Sequence, residues 1–547
     1  MANTHASNEE KKEHEMVVLP RKQINLIFVA LLIVQLASSL GQMVFSTAMP
    51  TIVGELGGVT HMLWISTGYI LAATITMPIY GKVGDVYGRK PIVLLAVSLF
   101  MIGSIVGGLT DSMAQLIVAR VIQGLGGGGL MILSQAIIGD VVPPKERGKY
   151  MGPMGAVFGI SAVAGPLVGG WLTDLGEGAW RWAFWMNVPL SLVAIVALVV
   201  WLKVPRFASE NQTVDVLGTM LMVIWVTLFV LGITFPGSTI SESQTEPFAW
   251  SDPLIIGLLA GAFVVAVVFF IVEKYAKNPL MPLYLFANRN FNLVTAASLI
   301  LGIAMFGAIG YMPTYLQVVH EVSATKSGLM LLPMVAGIMI FSIFSGQIAS
   351  RREHFKWLIL VSPVLVGIGL LVLSTLKVDT SVLVVMLGVF IIGSGLGFGQ
   401  QIMVLIAQNE FSAEEVGTST GVNNFFREVG ATLGAAIVGS LFTTRLKDLF
   451  ADRAASVDPQ NWLQAAQSWK AAGKEGEFGL DTFQPSLMSD SSFHMPQGIA
   501  DLIQGVYNDA LAPVFLWIAP LMVAALIVVF FVKEKPLNDK ARVVIED

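Results

Sequence analysis

The sequence predicts an all-α integral membrane protein, and three observations support that fold class. The chain of 547 residues is 55% hydrophobic and only 13% charged, with a mean hydropathy of +0.74. A soluble fold cannot bury that much apolar surface. Apolar runs of about 20 residues, the length of a helix that crosses the hydrocarbon core, recur along the chain with short polar connectors. The absence of cysteine excludes disulfides, thiol catalysis and cysteine-ligated metal.

The apolar runs predict fourteen spans, which divide most simply into six, two and six. The predicted N-terminal six-helix bundle covers 25–203, the two inserted helices cover 204–275, and the C-terminal six-helix bundle covers 276–533. Polar tails precede and follow them at 1–24 and 534–547, and the first tail lacks the apolar core of a cleaved signal peptide. The spans are expected at 25–49, 62–81, 91–109, 114–138, 149–173, 182–202, 214–235, 253–273, 291–317, 326–349, 357–376, 381–407, 415–443 and 510–532.

Lysine and arginine are distributed unevenly between alternate loops. With the N-terminus inside, 22 of the 32 basic residues fall in the inner loops and tails. Inner loops of membrane proteins are enriched in positive charge. The pattern therefore predicts that both termini are cytoplasmic and that the protein is a multi-pass protein of the plasma membrane, the inner membrane in a bacterium.

Two polar segments are expected on the outer side. Segment 236–252 is acidic and contains neither lysine nor arginine. Segment 444–509 is longer, and its Ala, Gln and Lys content around 460–472 allows a short helix. Two interpretations stay open for the longer segment: a solvated loop, or a docking arm for an outer-side partner, since long loops in compact proteins are often functional.

The chain repeats itself weakly. "YGKVGDVYGRKP" at 80–91, after the second span, is echoed by "SGQIASRREHFK" at 345–356, after the tenth. The echo aligns Gly81 with Gly346, while Ser350 replaces Asp85. A duplicated six-span half indicates a transporter architecture with a binding site between the halves, near the midplane of the membrane.

Several motifs occur in a fixed order along the chain. They are "GKVGDVYGRK" at 81–90, "LIVARVIQGLGGGG" at 116–129, "GPMGAVFGISAVAGPLVGG" at 152–170, "WRWAFWMNVPL" at 180–190 and "VDVLGT" at 214–219. The first three resemble the signatures of the major facilitator superfamily, and the last two resemble those of its fourteen-span drug:proton antiporters, the QacA/EmrB-type multidrug exporters. The resemblance covers nearly the whole chain and implies two six-helix bundles that rock about a central site.

The first motif predicts a conformational latch. Gly81 and Gly88 allow close helix approach and a tight turn, Asp85 can accept hydrogen bonds from a helix N-terminus, and Arg89 can pair with Asp85. The third motif places small residues at helical spacing, which lets helices pack backbone to backbone. The resemblance makes that helix the moving interface of an antiporter, with the motif residues Gly152, Ser161, Gly165, Pro166, Gly169 and Gly170.

Charges within spans are costly and mark functional positions. Three lie well inside predicted spans: Arg120, Arg427 and Glu428. The resemblance implies that Arg120 faces an acid of the first helix and takes part in proton coupling. On "LGQMVFSTAMP" at 40–50, however, the position of that acid is Gly41. We therefore expect Glu428 to carry the proton with Arg427 or Arg120 as counter-charge, the alternative being a static ion pair between spans.

Polar, aromatic and methionine side chains within spans predict an adaptable amphipathic cavity. Its expected lining is Gln42, Met43, Ser46, Gln123, Tyr311, Tyr315, Gln317, Asn423 and Asn424.

The sequence thus predicts a secondary transporter and not an enzyme: a proton-coupled multidrug exporter of amphipathic or hydrophobic compounds that works by alternating access. Its partners are the lipid bilayer, protons and an amphipathic or lipid-like substrate. No cofactor, metal or nucleic acid is expected, and the chain is expected to be a monomer. Two alternatives stay open: an exporter of a lipid or endogenous metabolite, and a non-transporting sensor or scaffold that lost proton coupling.

Overall fold

A computed structural model describes residues 17–56, 62–176, 178–202, 214–237, 248–352, 354–471, 479, 483, 485–488, 495–537 and 543–546. Helices account for nearly all of these residues, and two short strands pair near the chain ends. The helices are α1 Arg21–Met43, α2 Phe45–Leu56, α3 Met62–Tyr87, α4 Arg89–Gly108, α5 Met113–Val141, α6 Pro144–Asp174, α7 Trp182–Trp185, α8 Asn187–Trp201, α9 Val216–Thr234, α10 Pro253–Tyr275, α11 Arg289–Ile309, α12 Met312–Val319, α13 Ala324–Met330, α14 Leu332–Arg351, α15 Lys356–Ser374, α16 Val382–Asn409, α17 Val416–Ala454, α18 Pro459–Ala471 and α19 Gln497–Phe530.

The all-α membrane fold is confirmed. Thirteen helical segments of the described residues are long and apolar enough to cross a bilayer. With α3, a 26-residue helix that carries the second predicted span, they account for the fourteen. The predicted division into tail, bundle, inserted pair and bundle stays a prediction, and residues 1–16 of the first tail lie outside the described part.

Several spans are built from two helices in sequence. α1 and α2 meet at Val44, α11 and α12 meet at Gly310 and Tyr311, and α13 passes into α14 at Leu331. Proline stands in the first turn of both α12 and α14. Proline has no N–H to donate and fits the first turn of a helix, where that donor is unpaired anyway, so the helix restarts there.

The segment predicted as an outer loop at 444–509 is partly helical. α17 runs on to Ala454 and α19 begins at Gln497, so the loop between them is shorter than expected. The extensions are held together by Arg453, whose Nη2 lies 2.7 Å from Oδ2 of Asp509. The segment also supplies buried apolar side chains, such as Leu446, Ile503 and Val506, and these favour packed helix over loop. The expected short helix is present as Pro459–Ala471.

Strand β1, Val17–Pro20, pairs in parallel with β2, Val543–Glu546. Both ends of the described chain therefore lie at the same end of the helix bundle, as an even number of spans requires. We call this the termini end and the opposite one the far end.

The two halves of the chain meet along two helix pairs, α3 with α17 and α6 with α14. The inserted helix α9 packs beside the first of these pairs. Its Trp225 contacts the rings of Phe425 on α17 and Phe269 on α10, at centroid distances of 5.8 and 6.3 Å. The inserted pair is thus anchored at the boundary between the halves, while most of α10 exposes apolar side chains, as expected of a lipid-facing helix.

Candidate functional site

A cavity between the two halves is lined by helices of both. In the arrangement described here it is a narrow space of about 60 Å³. Apolar and methionine side chains form most of its wall, and polar groups are interspersed among them. We call it the central cavity; its polar lining residues are Gln35, Ser38, Ser39, Gln42, Tyr69, Ser298, Gln400, Asn423, Arg427 and Glu428.

Arg427 and Glu428 follow each other on α17, and both line the central cavity. The Nη2 of Arg427 lies 3.3 Å from the sulfur of Met131 on α5, across the boundary between the halves. Its Nη1 has no hydrogen-bond partner among the described residues. Within the same residues, neither side chain forms an ion pair, so the alternative of a static ion pair finds no support in the geometry.

A cleft of about 370 Å³ lies toward the far end, between α3, α9 and α17. Its wall includes Thr67 of α3, Thr234 of the inserted helix α9, Tyr311, and a run of small residues on α17 that contains Gly439. Glu428 lines this cleft as well as the central cavity. Glu428 is therefore one of four residues shared by the two spaces, with Ile70, Phe306 and Ala431.

Arg120 is 2% exposed, and no ion pair joins it to Glu428 among the described residues. Its Nη1 donates to the carbonyl of Gly41 at 3.0 Å and to Oε1 of Gln123 at 2.7 Å, and its Nε donates to the carbonyl of Ile65 at 3.3 Å. The guanidinium also lies 4.3 Å from the ring centre of Phe45. Carbonyl dipoles and aromatic faces thus take the place of the acid, and the role of Arg120 as counter-charge to Glu428 stays a prediction.

Gly41 is packed too closely to hold a larger residue without rearrangement. A Cβ there would lie 2.9 Å from Cζ of Phe100 and 3.2 Å from Nδ2 of Asn187. The ring of Phe100 therefore fills the space beside the Gly41 backbone, where the side chain of the missing first-helix acid would begin. The amides of Asn187 and Gln123 still face the position from which a carboxylate would project.

The predicted latch residues meet at the termini end. Asp85 accepts hydrogen bonds from the backbone N–H groups of Gly417 at 3.2 Å and Thr418 at 2.7 Å, and from the Thr418 hydroxyl at 2.5 Å. Those groups are in the first turn of α17, where backbone N–H groups lack helical partners and the helix dipole favours a negative charge. Asp85 belongs to the N-terminal half and α17 to the C-terminal half, so these bonds join the halves.

Arg89 holds Asp85 in place. Its Nη2 donates to Asp85, its Nε donates to Oδ2 of Asp140 at 2.9 Å, and its Nη1 donates to the Gly81 carbonyl at 3.3 Å. Gly88, at φ 90°, makes the turn between α3 and α4 that brings Arg89 back over α3. A buried arginine between two carboxylates satisfies all three charges.

The internal echo has a counterpart in the packing. A Cβ on Gly81 would overlap the carbonyl of Gly417, and a Cβ on Gly346 would overlap the carbonyl of Gly148 on α6. Both glycines thus permit backbone contact between the halves, one at α3–α17 and the other at α14–α6. Ser350, which stands where Asp85 does in the first half, bonds its own helix at the Gly346 carbonyl, 3.0 Å away. Of the two contacts between the halves, α3–α17 therefore has a carboxylate latch at this position and α14–α6 has a serine.

The motif residues of α6 divide between two neighbours. Gly152 lies against α14, where a Cβ would be 2.5 Å from the Ser342 carbonyl, and Gly170 comes within 3.8 Å of the Thr325 hydroxyl on α13. Gly165 instead packs on Met43 within its own half. Ser161 is buried and donates to the Val157 carbonyl of its own helix at 2.9 Å, which explains how serine replaces the usual glycine. Gly169 is buried as well, whereas the side chain of Pro166 lies outside the described part.

Most of the predicted cavity lining lies elsewhere. Of the predicted residues only Gln42 and Asn423 line the central cavity, and Tyr311 lines the cleft. Of the others, those whose side chains are described line neither space, because the period of a helix does not show which neighbour covers its polar face. Met43 packs on Gly165, and Gln123 accepts a hydrogen bond from Arg120. Tyr315 donates to Asn508 at 3.0 Å, Gln317 to the Pro313 carbonyl of its own helix at 3.2 Å, and Asn424 to Gln135 at 2.9 Å. The side chain of Ser46 lies outside the described residues.

Sequence reasoning also missed a polar bridge between the halves. Gln135 of α5 receives bonds from two residues of the other half, Asn424 of α17 through its side chain and Gln408 of α16 through its carbonyl at 3.4 Å. All three are at most 1% exposed. Their only signal in the sequence is an amide in an apolar run, and such a signal does not reveal its partner.

Two helix bundles with a cavity between them, in which polar groups are set in a largely apolar wall, are the architecture of a secondary transporter. The model of the Major Facilitator Superfamily matches residues 31–435 of this sequence. The chain belongs to that superfamily, a family of transporters and not of enzymes.

Named relatives and a solved structure agree with that assignment. "Multidrug transporter protein MdtP" of Bacillus subtilis is 36% identical over 428 residues, 78% of this chain and 77% of the relative. "Multidrug resistance protein 3" of the same organism is 31% identical over 93% of this chain and 95% of its own length. The structure of the proton:xylose symporter XylE, 14% identical, superposes with a TM-score of 0.56 over 95% of this chain and 98% of the symporter, which shows the shared fold.

Proposed function

We propose that the protein exports amphipathic compounds in exchange for protons, by alternating access, with Glu428 as the proton carrier. The observation that carries this proposal is that Glu428 lines both the central cavity and the far-end cleft. A carboxyl group shared by two spaces can exchange a proton with one and interact with a substrate in the other. Ionisable residues within spans are typical of proton relays.

The latch supports the alternating-access part of the proposal. In the arrangement described here, Asp85 and the glycine contacts hold the halves together at the termini end, while the cleft lies at the far end. We place the termini end in the cytoplasm on the positive-inside distribution of lysine and arginine. The arrangement then corresponds to the state that is closed to the cytoplasm, and breaking the Asp85 bonds leads to the other state.

Export and breadth of substrate are supported by the relatives that are named multidrug transporters. They are also supported by the lining of the central cavity, in which methionines such as Met131, Met305 and Met403 offer mobile apolar contacts. A wall of this kind adapts to ligands of different shape.

The test is substrate-driven proton movement in inverted membrane vesicles, followed with a pH-sensitive dye. Ethidium, tetraphenylphosphonium and decylphosphocholine are added separately to vesicles energised by respiration. With wild-type protein, at least one compound should relieve the quenching of the dye, because protons leave the vesicle lumen in exchange for it. Glu428→Gln should abolish that response. Glu321→Gln, which changes an exposed glutamate, is the matched control and should behave as wild type.

Two outcomes contradict the proposal in different ways. If Glu428→Gln responds like wild type, Glu428 is not the proton carrier. If purified wild-type protein binds the compounds but no proton moves with any of them, the non-transporting sensor is the better description.

A further inference from the structure

We infer that the central cavity selects amphiphiles whose headgroup carries both a cationic and an anionic group, with Arg427 binding the anionic part and Glu428 the cationic part. This inference rests on the proposed function and adds the class of substrate. It starts from the charge content of the cavity. Among the residues that the structure places around it, Arg427 and Glu428 alone carry a formal charge.

The guanidinium of the partly buried Arg427 lacks an acceptor for one of its two terminal nitrogens. Its Nη1 is buried and has no hydrogen-bond partner within the described residues, and its Nη2 meets the thioether of Met131, a weak acceptor. Arg120 shows the contrast, because its donors reach two carbonyls and the Gln123 amide. Leaving a buried charged donor unpaired is costly, so an acceptor that enters the cavity gains the full value of that interaction.

Glu428 does not act as the missing acceptor for Nη1 of Arg427. No ion pair joins it to Arg427 in the described part of the chain, although the two residues are adjacent. Successive residues on a helix project about 100° apart, so two neighbours present their charges in different directions. The cavity therefore offers two separate sites of opposite charge on one helix.

This arrangement disfavours a plain organic cation. A cation drawn to Glu428 also meets the positive charge of Arg427, and repulsion between like charges in a poorly solvated space is strong. A plain anion meets the reverse problem when Glu428 is ionised. A headgroup that carries both charges satisfies Arg427 and Glu428 together, and its ammonium can take the place of the proton on Glu428, as exchange with protons requires.

The apolar part of such an amphiphile has a matching wall. Leu301, Met305 and Phe306 of α11 lie on one side of the cavity and Met77 of α3 on the other. These residues can take up an alkyl chain while the headgroup stays at α17.

The test compares three probes with the same tail: decylphosphocholine, decyltrimethylammonium and decyl phosphate. Binding to the full-length protein in nanodiscs is measured at neutral pH below the micellar concentrations, with decyl glucoside as an uncharged reference. Wild-type protein should bind decylphosphocholine about 10-fold or more tightly than either singly charged probe, as expected for a gained charge-assisted hydrogen bond.

Two substitutions separate the charges. Arg427→Gln should weaken decylphosphocholine binding by about 10-fold and strengthen decyltrimethylammonium binding, while decyl glucoside binding stays unchanged and reports that the cavity is intact. Arg427→Lys keeps the charge but loses the planar fork and should fall between the two. Glu428→Gln should weaken decylphosphocholine and strengthen decyl phosphate.

The inference is overturned if decyltrimethylammonium binds wild-type protein as tightly as decylphosphocholine, or if Arg427→Gln leaves all three affinities unchanged. Failure of the proposed function gives a different result, namely the selectivity above without any proton release on binding. The two are therefore separable, because binding affinity is measured independently of proton movement.

Discussion

Replacing Asp85 with asparagine should release the latch between the halves. The carboxylate accepts three hydrogen bonds from the first turn of α17, at 3.2, 2.7 and 2.5 Å. A hydrogen bond to a charged acceptor contributes about 1.5–3 kcal/mol, roughly twice the value for a neutral pair. Asparagine keeps an acceptor oxygen but loses the charge, so about 1 kcal/mol is lost per bond and about 2–3 kcal/mol in total.

That loss should shift the equilibrium between the latched and released states by roughly 30- to 150-fold toward release. The Thr418→Val substitution removes only the hydroxyl donor and leaves the backbone N–H groups. Its expected shift is about tenfold, the value of one charge-assisted bond.

The chain contains no cysteine, so introduced cysteines label cleanly. Spin labels at Tyr87 and Arg351 report across the halves, since both residues are exposed at the termini end, on α3 and α14. Distance distributions from double electron–electron resonance in nanodiscs should broaden toward longer separations in Asp85→Asn, and less so in Thr418→Val.

The control is Asp379→Asn, which removes a charge from an exposed turn away from the latch. It should leave the distance distribution as in wild type. Identical distributions for wild type and Asp85→Asn would refute the reasoning, because they would mean that the three bonds do not hold the halves together.

Three further changes have expected outcomes. Gly81→Ala should also lengthen the distance between the labels, because the added Cβ overlaps backbone of the other half. Gly170→Ala should not, because a Cβ there lies 3.8 Å from its nearest neighbour. Equal effects of the two substitutions would contradict the packing argument. Gly41→Asp should lower the Tm, because overpacking against Phe100 costs about 1–3 kcal/mol. Adding Phe100→Leu should recover most of that loss. If the Tm does not recover, the destabilisation comes from the buried aspartate charge and not from the packing. Burial lowers the pKa of His320, so the fold favours the neutral ring and the free energy of unfolding should fall as the pH drops below about 6.5. His320→Phe should flatten that fall in melting scans between about pH 7.5 and 5.5. An unchanged slope would exclude His320 as its cause.

The fold could be predicted from the sequence because the bilayer restricts the possibilities. Spans must be helical and about 20 residues long, so hydropathy alone located them. The latch was predictable for a similar reason: Gly81, Asp85, Gly88 and Arg89 are close in sequence, and a short turn brings them together in any fold.

The site was less predictable because its residues come from distant helices. Arg120 carried the same signal as Arg427, a charge within a span, yet one is satisfied by carbonyls and the other has an unpartnered Nη1. Predicted lining residues such as Tyr315 and Asn424 bond other helices instead. Which face of a helix meets a cavity depends on its rotation against neighbours, and some of these lie hundreds of residues away in the chain, as Gln135 does from Asn424.

The sequence by itself determined the helical membrane fold, the latch motif and the loss of the acid at position 41. The tertiary structure alone decided that Phe100 occupies the space beside Gly41, that Arg120 is hydrogen-bonded to uncharged groups of its own half, and that Glu428 lines both the cavity and the cleft. The physical reason is that local sequence sets hydropathy, turns and helix ends, whereas the partners of a buried charge are set by the packing of whole helices against one another.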